Sequence, residues 1–423
     1  MKSRVNELGG FLLITLVYVF SVILALITKV SISDVMKNYQ FNVLIILIAM
    51  ELFTNLVSTT GIMEVLSIKI SKKSKGNKKI ILMLFGLLMF TVSAFLNNIT
   101  AVLMVLPIIF VLLKTIGIDR KYLNIFFAVI LALSNTGGAS SPIGDFPAIV
   151  IMSSGITSFL GYLLRALPFF LITSILLISW WLIKVKEDKK NPNKKQLAID
   201  ILQSKYKYLH VKKDILIGLI IIFLFMFIAW SFVPQNILPS EIIAVLGYVL
   251  AMLFCGIKKV KIVQNIDFKP VLTISSFLFL AGIVSSTGIL NEFANFLQIN
   301  INNPKILLIV IMLVTSIVSG IFGAGPAASA MMPVIINLCS GIFSNQSDWI
   351  AIAYAASICA GSSLFMWSAT AGFILSKKIN EEELTDEKNN KLLWNISDYF
   401  KYGIQNYLIQ IITAIIIICI VIV

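Results

Sequence analysis

Apolar runs long enough to carry a helix across a bilayer recur from Phe11 to the C-terminus, separated by short loops in which lysines gather. A crossing helix takes about 20 residues. Only 13% of the 423 residues are charged and the mean hydropathy is +0.96, far from what a water-facing surface of this size needs. The chain is therefore expected to be an all-α polytopic membrane protein. Its first run, Phe11 to Thr28, lacks a small-residue cleavage site and is followed by further runs, which predicts a retained helix with no soluble domain before it.

The lysines give each run its sidedness, because short loops rich in Lys and Arg stay in the cytoplasm. Lys2 and Arg4, with Lys69, Lys72, Lys73, Lys75, Lys78 and Lys79, make runs 11–29 and 42–66 an out-and-back pair with a cytoplasmic N-terminus. Residues 80–113 start beside Lys79 and end beside Lys114, Arg120 and Lys121, so the segment should return to its starting side as a re-entrant hairpin. Two shorter complete spans joined by an external Asn97-Asn98 turn are the alternative. Residues 122–155 run outward and 162–183 return. The loop 184–213 carries Lys184, Lys186, Lys189, Lys190, Lys194, Lys195, Lys205, Lys207, Lys212 and Lys213, and run 214–232 crosses once more.

The parts then repeat upside down. Runs 240–256 and 270–288 flank a basic loop with Lys258, Lys259, Lys261 and Lys269; a hairpin follows at 305–343, a broken helix at 349–376 ends at Lys377 and Lys378, and 403–423 finishes outside. The order predicts two inverted-topology repeats, 1–183 and 240–423, joined over 184–239 by a cytoplasmic basic loop and a linking helix. Each repeat has a re-entrant hairpin (80–113, 305–343) and a broken transmembrane helix (122–155, 349–376), and Pro107 and Pro333 fall at similar places after the hairpin tips. Secondary transporters share this plan and bind at the midplane where the repeats meet.

Within the first broken helix, residues 134–150 read "SNTGGASSPIGDFPAIV". Its glycines and prolines interrupt the helix, and the backbone groups so released are what an ion or substrate can bind. A carboxylate at that depth costs at least ~2.5–3.5 kcal/mol, and no Lys or Arg neighbours Asp145 in sequence. It can hold a proton or a cation, which is the exchange that antiport needs. Capping of the helix that begins near Phe146 is the alternative role, and the two are compatible. Glu51, with Asn55 on the same helical face, either meets the moving parts or makes a structural hydrogen bond, and is left outside the site. Glu64 and Glu241 near helix ends, and Arg165 near the outer end of its span, are expected to reach interfacial water. The dispersed cysteines read as apolar filler, and His210 as a solvated loop residue. The net charge of +14 reads as a topology signal and not as a nucleic-acid surface.

The stretches "NTGGASSPIGD" and "SAFLNNITAVLMVLP" resemble the broken-helix motif and first hairpin tip of the ion transporter superfamily. The likeness is greatest to its sodium/proton antiporter (NhaD-type) and arsenite permease (ArsB-type) branches, which are related to the sodium/dicarboxylate symporters, and it extends in element order over nearly the whole chain. The resemblance implies a transport unit of hairpin tips and broken helices moving, elevator-like, against scaffold helices that pair in a homodimer. It implies a first cation site joining Asn97, Asn98 and Thr100 to Ser134, Asn135, Gly137, Gly138 and Asp145, with sodium at Asn98, Asn135 and Asp145. A pseudo-symmetric second site would join Gly323, Gly325, Pro326 and Ser329 to Ser357, Gly361, Ser362 and Ser363. Asn97 stands where those branches usually carry aspartate, and Ala324-Gly325 stands where they carry a polar pair, so the second site would rest on backbone carbonyls.

The expected function is a cation-coupled secondary active transporter of the inner or plasma membrane, with sodium/proton antiport as its most specific form. An anion carrier for arsenite or a small carboxylate is the alternative, since helix N-termini at the breaks can hold an anion. The partners are thus a small inorganic ion or small organic anion and the lipid bilayer, with no nucleic acid. No cofactor is expected beyond sodium or a proton as coupling ion. The sequence offers no metal-ligand cluster, no nucleophile with a base and no paired intramembrane acids, which argues against an enzyme. Two inverted broken repeats argue against a passive channel.

Overall fold

The computed structural model describes residues 2–186, 200, 204, 210–256, 269–386 and 389–422. The loop lysines Lys189, Lys190, Lys194, Lys195, Lys205, Lys207, Lys258, Lys259 and Lys261 lie outside the described residues. What is described is helical apart from turns and one isolated bridge, Thr385 to Lys391. Seven of the described helices are long and apolar enough to cross a membrane, or nine spans if two bent pairs each count as one.

The same order of parts occurs twice. Lys2–Thr28, the short Ile32–Asn38, Phe41–Ser58 and Ile62–Ser74 lead to a hairpin, Lys78–Ser93 and Asn98–Ile116. A broken helix, Arg120–Ala139 and Phe146–Ser153, and the long Phe159–Lys184 complete the first half. After the linking helix Lys213–Phe232 come Ser240–Cys255, Lys269–Ser286 and Ile289–Asn300. A second hairpin, Pro304–Phe322 and Ala324–Ser340, a second broken helix, Ser347–Ser362 and Gly372–Glu381, and Ile396–Val421 follow.

Run 42–66, expected as a single helix, is interrupted, and run 270–288, one helix as expected, ends on the same device where a further short helix begins. In the first, the hydroxyls of Ser58, Thr59 and Thr60 each donate to the carbonyl three residues back, at 2.6, 2.7 and 2.7 Å, and Gly61 takes a φ of +75° that ends the helix. In the second, Thr287 donates to the Val284 carbonyl at 2.6 Å and Gly288 has a φ of +76°, so Val271–Ser286 and Ile289–Asn300 meet at 63°. Side chains that compete for helical carbonyls, followed by a residue free to adopt a left-handed φ, are sufficient to stop a helix. Each new short helix leads to an asparagine cap on the next hairpin. Asn77 accepts from the Lys79 and Ile80 amides, and Asn303 from those of Lys305 and Ile306.

The hairpins pack on the broken helices through glycine. A methyl added at Gly137 would lie 2.3 Å from the Phe90 carbonyl oxygen, and one at Gly361 would lie 2.1 Å from that of Ser316. Backbones meet there without side chains between them. Where each broken helix stops, a tyrosine from the following span satisfies an exposed carbonyl: Tyr162 donates to Ala139 at 2.8 Å and Tyr399 to Ser363 at 2.7 Å. Every residue of Tyr122 to Ala139 is buried, so this helix touches neighbours on all sides and lipid on none. The halves are also cross-tied at their ends. Lys114 meets Glu382 at 2.7 Å and Arg120 meets Asp398 at 2.8 Å, while at the other end of Phe159–Lys184 the Arg165 guanidinium, expected to be solvated alone, meets Asp348 at 2.8 Å.

Candidate ion-binding site

Pro142 has no N–H, so it offers no donor to the Gly138 carbonyl four residues before it, and the helix ends there. The chain crosses the gap in a tight turn over Ser140 to Gly144 and restarts at Phe146. Asp145 caps the new helix, its Oδ1 accepting from the Phe146 amide at 2.8 Å. Its Oδ2 accepts from Asn98 Nδ2, at the tip of the first hairpin, at 2.9 Å. The cap and the contact with the hairpin therefore coexist.

The second oxygen source is the hairpin itself. Asn97 caps its second arm, accepting from the Ile99 amide at 2.9 Å, which leaves Asn98 as the first helical residue and points its side chain across the gap. Asn98 Oδ1 is buried and takes no hydrogen bond from the described residues. A methyl at Gly138 would lie 2.7 Å from Asp145 Cβ and 2.9 Å from Asn98 Oδ1. At Gly144 it would lie 2.5, 2.8 and 2.9 Å from the carbonyl oxygens of Gly138, Ser93 and Ala94. The hairpin and the break thus meet closely at two glycines, with Asp145 and the unpartnered Asn98 Oδ1 beside the first and three carbonyls, of which that of Ala94 also accepts from Ser141 Oγ, against the second.

Beside Asp145 lies a cavity of about 40 Å³. Its walls include Glu51, Thr54, Asn97, Gly144, Asp145 and Thr370 among apolar residues such as Leu47, Phe95 and Ile274, and none of the lining residues is basic. At roughly 10–15 Å³ of such space per water, it has room for a small ion with a water or two and not for a tricarboxylate. Glu51 enters the site from Phe41–Ser58: Thr100 Oγ1 donates to its Oε1 at 3.0 Å. Sequence reasoning left Glu51 aside. The signal was its place one turn from Asn55 on a helix otherwise apolar between Val43 and Phe53.

Other expected residues have different duties. Ser134 donates to the Leu131 carbonyl of its own helix at 3.0 Å, and Gly137 is a packing position. Asn135 does not join Asn98 and Asp145; its Nδ2 donates to Ser362 Oγ at 3.1 Å and links the two broken helices. In the second half, Gly323 turns the hairpin with a φ of +95° and Gly361 is again a packing position. A methyl at Gly325 would lie 3.4 Å from the Phe146 ring, so the second tip rests on the half-helix that Asp145 caps. Pro326 lies in the first turn of Ala324–Ser340, and Ser329, one turn on, is buried. Ser357, Ser362 and Ser363 donate to helical carbonyls at 2.7, 2.9 and 3.1 Å, and Ser363 also accepts from Gln410 at 2.8 Å.

A sequence profile described as citrate transporter matches residues 7–359. The chain belongs to the citrate transporter family. This family member is 23% identical over 354 residues to an uncharacterized transporter of Mycobacterium tuberculosis, covering 81% of this chain and 80% of that one. It is 25% identical over 343 residues to the magnetosome protein MamN of Paramagnetospirillum magneticum, covering 80% and 76%. A shorter match, 27% over 124 residues, joins 29% of it to 14% of the P protein of Homo sapiens. Among solved structures, the YdaH transporter of Alcanivorax borkumensis superposes with a TM-score of 0.59 over 98% of this chain and 97% of that one, at 11% identity. At that identity the likeness is one of fold. The citrate transporter family member is thus a polytopic membrane transporter and not an enzyme. The superfamily-level resemblance agrees with this family.

Proposed function

We propose that the protein is a cation-coupled secondary transporter of the cell membrane that exchanges sodium for protons at Asp145. The observation that carries this reading is the Asp145 carboxylate, joined to Asn98 with its unpartnered Oδ1, beside a small cavity that has no basic residue in its lining. Ionised Asp145 pairs with sodium; protonated, it is neutral and keeps its place as a cap. The two occupants exclude each other, so carrying each across in turn is antiport. In the elevator-like movement that goes with this, the hairpin tips and breaks travel together against Phe41–Ser58, and the Thr100 to Glu51 hydrogen bond is a contact such a unit must break and remake. The same proposal includes a homodimer through scaffold helices, a cytoplasmic N-terminus and an external C-terminus. The meeting of Lys114 with Glu382 and of Arg120 with Asp398 at one end suits that sidedness.

The family's description favours a second reading, a carrier of citrate, with other small carboxylates or arsenite as variants, driven by a sodium or proton gradient. Proteoliposomes holding a pH-sensitive dye, challenged in turn with sodium, lithium, citrate, dicarboxylates and arsenite, separate the two. Proton movement driven by sodium alone is expected. Movement that requires citrate or another anion would replace antiport with the carrier.

A further inference from the structure

Apart from the cavity beside Asp145, a space of about 600 Å³ opens between the first hairpin and the helices that flank it. Phe53 of Phe41–Ser58, Ile62 and Leu66 of Ile62–Ser74, Thr91 and Leu96 of the hairpin and Leu219 of the linking helix are among its walls. Thr91 is the one lining side chain with a hydroxyl, amide or charge, and its hydroxyl is spent on the Leu87 carbonyl at 2.9 Å. Such a lining cannot hold a charged or hydrogen-bonding ligand, and an apolar cavity does not fill with water. What it can hold is hydrocarbon.

Two observations say which hydrocarbon. Ile220 and Leu224 line the cavity yet are 49% and 52% exposed, so it opens along the linking helix onto the face where Ile217, Ile221 and Phe225 are exposed too. On a membrane-spanning helix that face meets lipid tails. The second observation is charge at one end. Lys212 and Lys213, both exposed, stand one turn before Leu216 of the lining, and the Lys212 amide donates to the Thr60 carbonyl at 3.0 Å, two residues before Ile62. Lys69 is exposed one turn beyond Leu66. Glu64 and Asp214 are the acids on the same two stretches, and the lysines outnumber them, which suits a phosphate headgroup.

We infer that this cavity holds one acyl chain of an anionic membrane phospholipid, whose headgroup lies over Lys212 and Lys213. The tail fills the space between the hairpin arm that leads to Asn97 and Asn98 and the helix that carries Glu51, which makes the lipid a structural partner of the hairpin. The inference holds whichever ion or anion the Asp145 site carries.

Native mass spectrometry of the full chain, reconstituted in vesicles of equal parts phosphatidylglycerol and phosphatidylcholine and extracted in mild detergent, tests it. One retained phospholipid per chain is expected, phosphatidylglycerol exceeding phosphatidylcholine at least about fivefold, roughly what one lysine near a headgroup contributes. Thr91→Trp, which brings a ring into the cavity from an exposed position, should lower retention at least about tenfold in a chain that still melts cooperatively, the cost of excluding a few methylenes. Lys212→Gln with Lys213→Gln should bring the two lipids to near parity. No lipid on the natural chain, retention undiminished in Thr91→Trp, or a lipid preference that is absent from the natural chain or unchanged without the two lysines would overturn the inference. Loss of a dimer instead of a lipid in Thr91→Trp would assign the cavity to a second copy and overturn it as well. If Thr91→Trp does not fold, Leu224→Trp fills the cavity from the linking helix and carries the same expectations.

Discussion

Asp145 spends one oxygen on a helix end and one on a hairpin tip, and a substitution can separate the two duties. Asparagine caps helices as well as aspartate does but cannot carry charge or exchange a proton. Asp145→Asn is expected to insert and melt normally while ion-coupled transport in vesicles falls to background; full activity would reduce the residue to a structural part. Gly144 gives the complementary experiment. A methyl there would overlap three carbonyl oxygens at 2.5 to 2.9 Å, so Gly144→Ala should push them apart, cost about 1–3 kcal/mol of stability and lower sodium-driven transport at least about tenfold. Transport at the natural level in that variant would place the ion elsewhere.

Hairpin and broken helix act as one element because they touch backbone to backbone at Gly137 and Gly361. Gly137→Ala and Gly361→Ala should each lower the melting temperature in detergent, by the same order of overpacking cost, about 1–3 kcal/mol. Equal losses in the two variants would reflect the equivalence of the halves, and no loss in either would mean the arms separate easily. The element plan was largely legible: lysine placement and polar interruptions marked both hairpins and both breaks to within a few residues. Run 42–66 was misjudged because apolar content continues past its break, although the signal was present as "STTGI" at 58–62 and recurs as "SSTGI" at 285–289, where the second run ends. Asp145 and Asn98 were legible as costly polar groups in an apolar setting. The close approach of the Ser93 and Ala94 carbonyls to Gly144 was not legible, since a carbonyl is the same in every residue and only the fold aims it. Glu51 was weighed but left outside the site because its partner, Thr100, is far away in sequence.

At the scale of the whole molecule, the halves are joined by exchange. Phe41–Ser58 packs on Ser240–Cys255 and Lys2–Thr28 on Lys269–Ser286, so each half supplies part of the other's support. The end-to-end ion pairs, Arg120 with Asp398 and Arg165 with Asp348, are partly exposed and worth no more than about 1 kcal/mol each after screening, which makes them guides to docking more than sources of stability. Sidedness is open to direct measurement: cysteines introduced by Lys79→Cys and Lys114→Cys should react with an impermeant maleimide from the same, cytoplasmic side. Reaction from opposite sides would remove the re-entrant hairpin.

The helix Arg120–Ala139, buried throughout from Tyr122 onward, constrains the order in which the protein can be made. One of its walls is Ile396–Val421, from which Asn406 donates to the Ala128 carbonyl at 3.1 Å and accepts from Trp181 at 2.7 Å. A ribosome finishes the central helix long before it begins that wall, so the nascent helix must wait in the bilayer with its serine, asparagines and glycines facing lipid or a chaperoning insertase. A chain stopped at Asn395 should therefore be cleared by membrane proteases instead of accumulating as a half-built transporter, and supplying the last helix as a separate polypeptide should rescue its abundance.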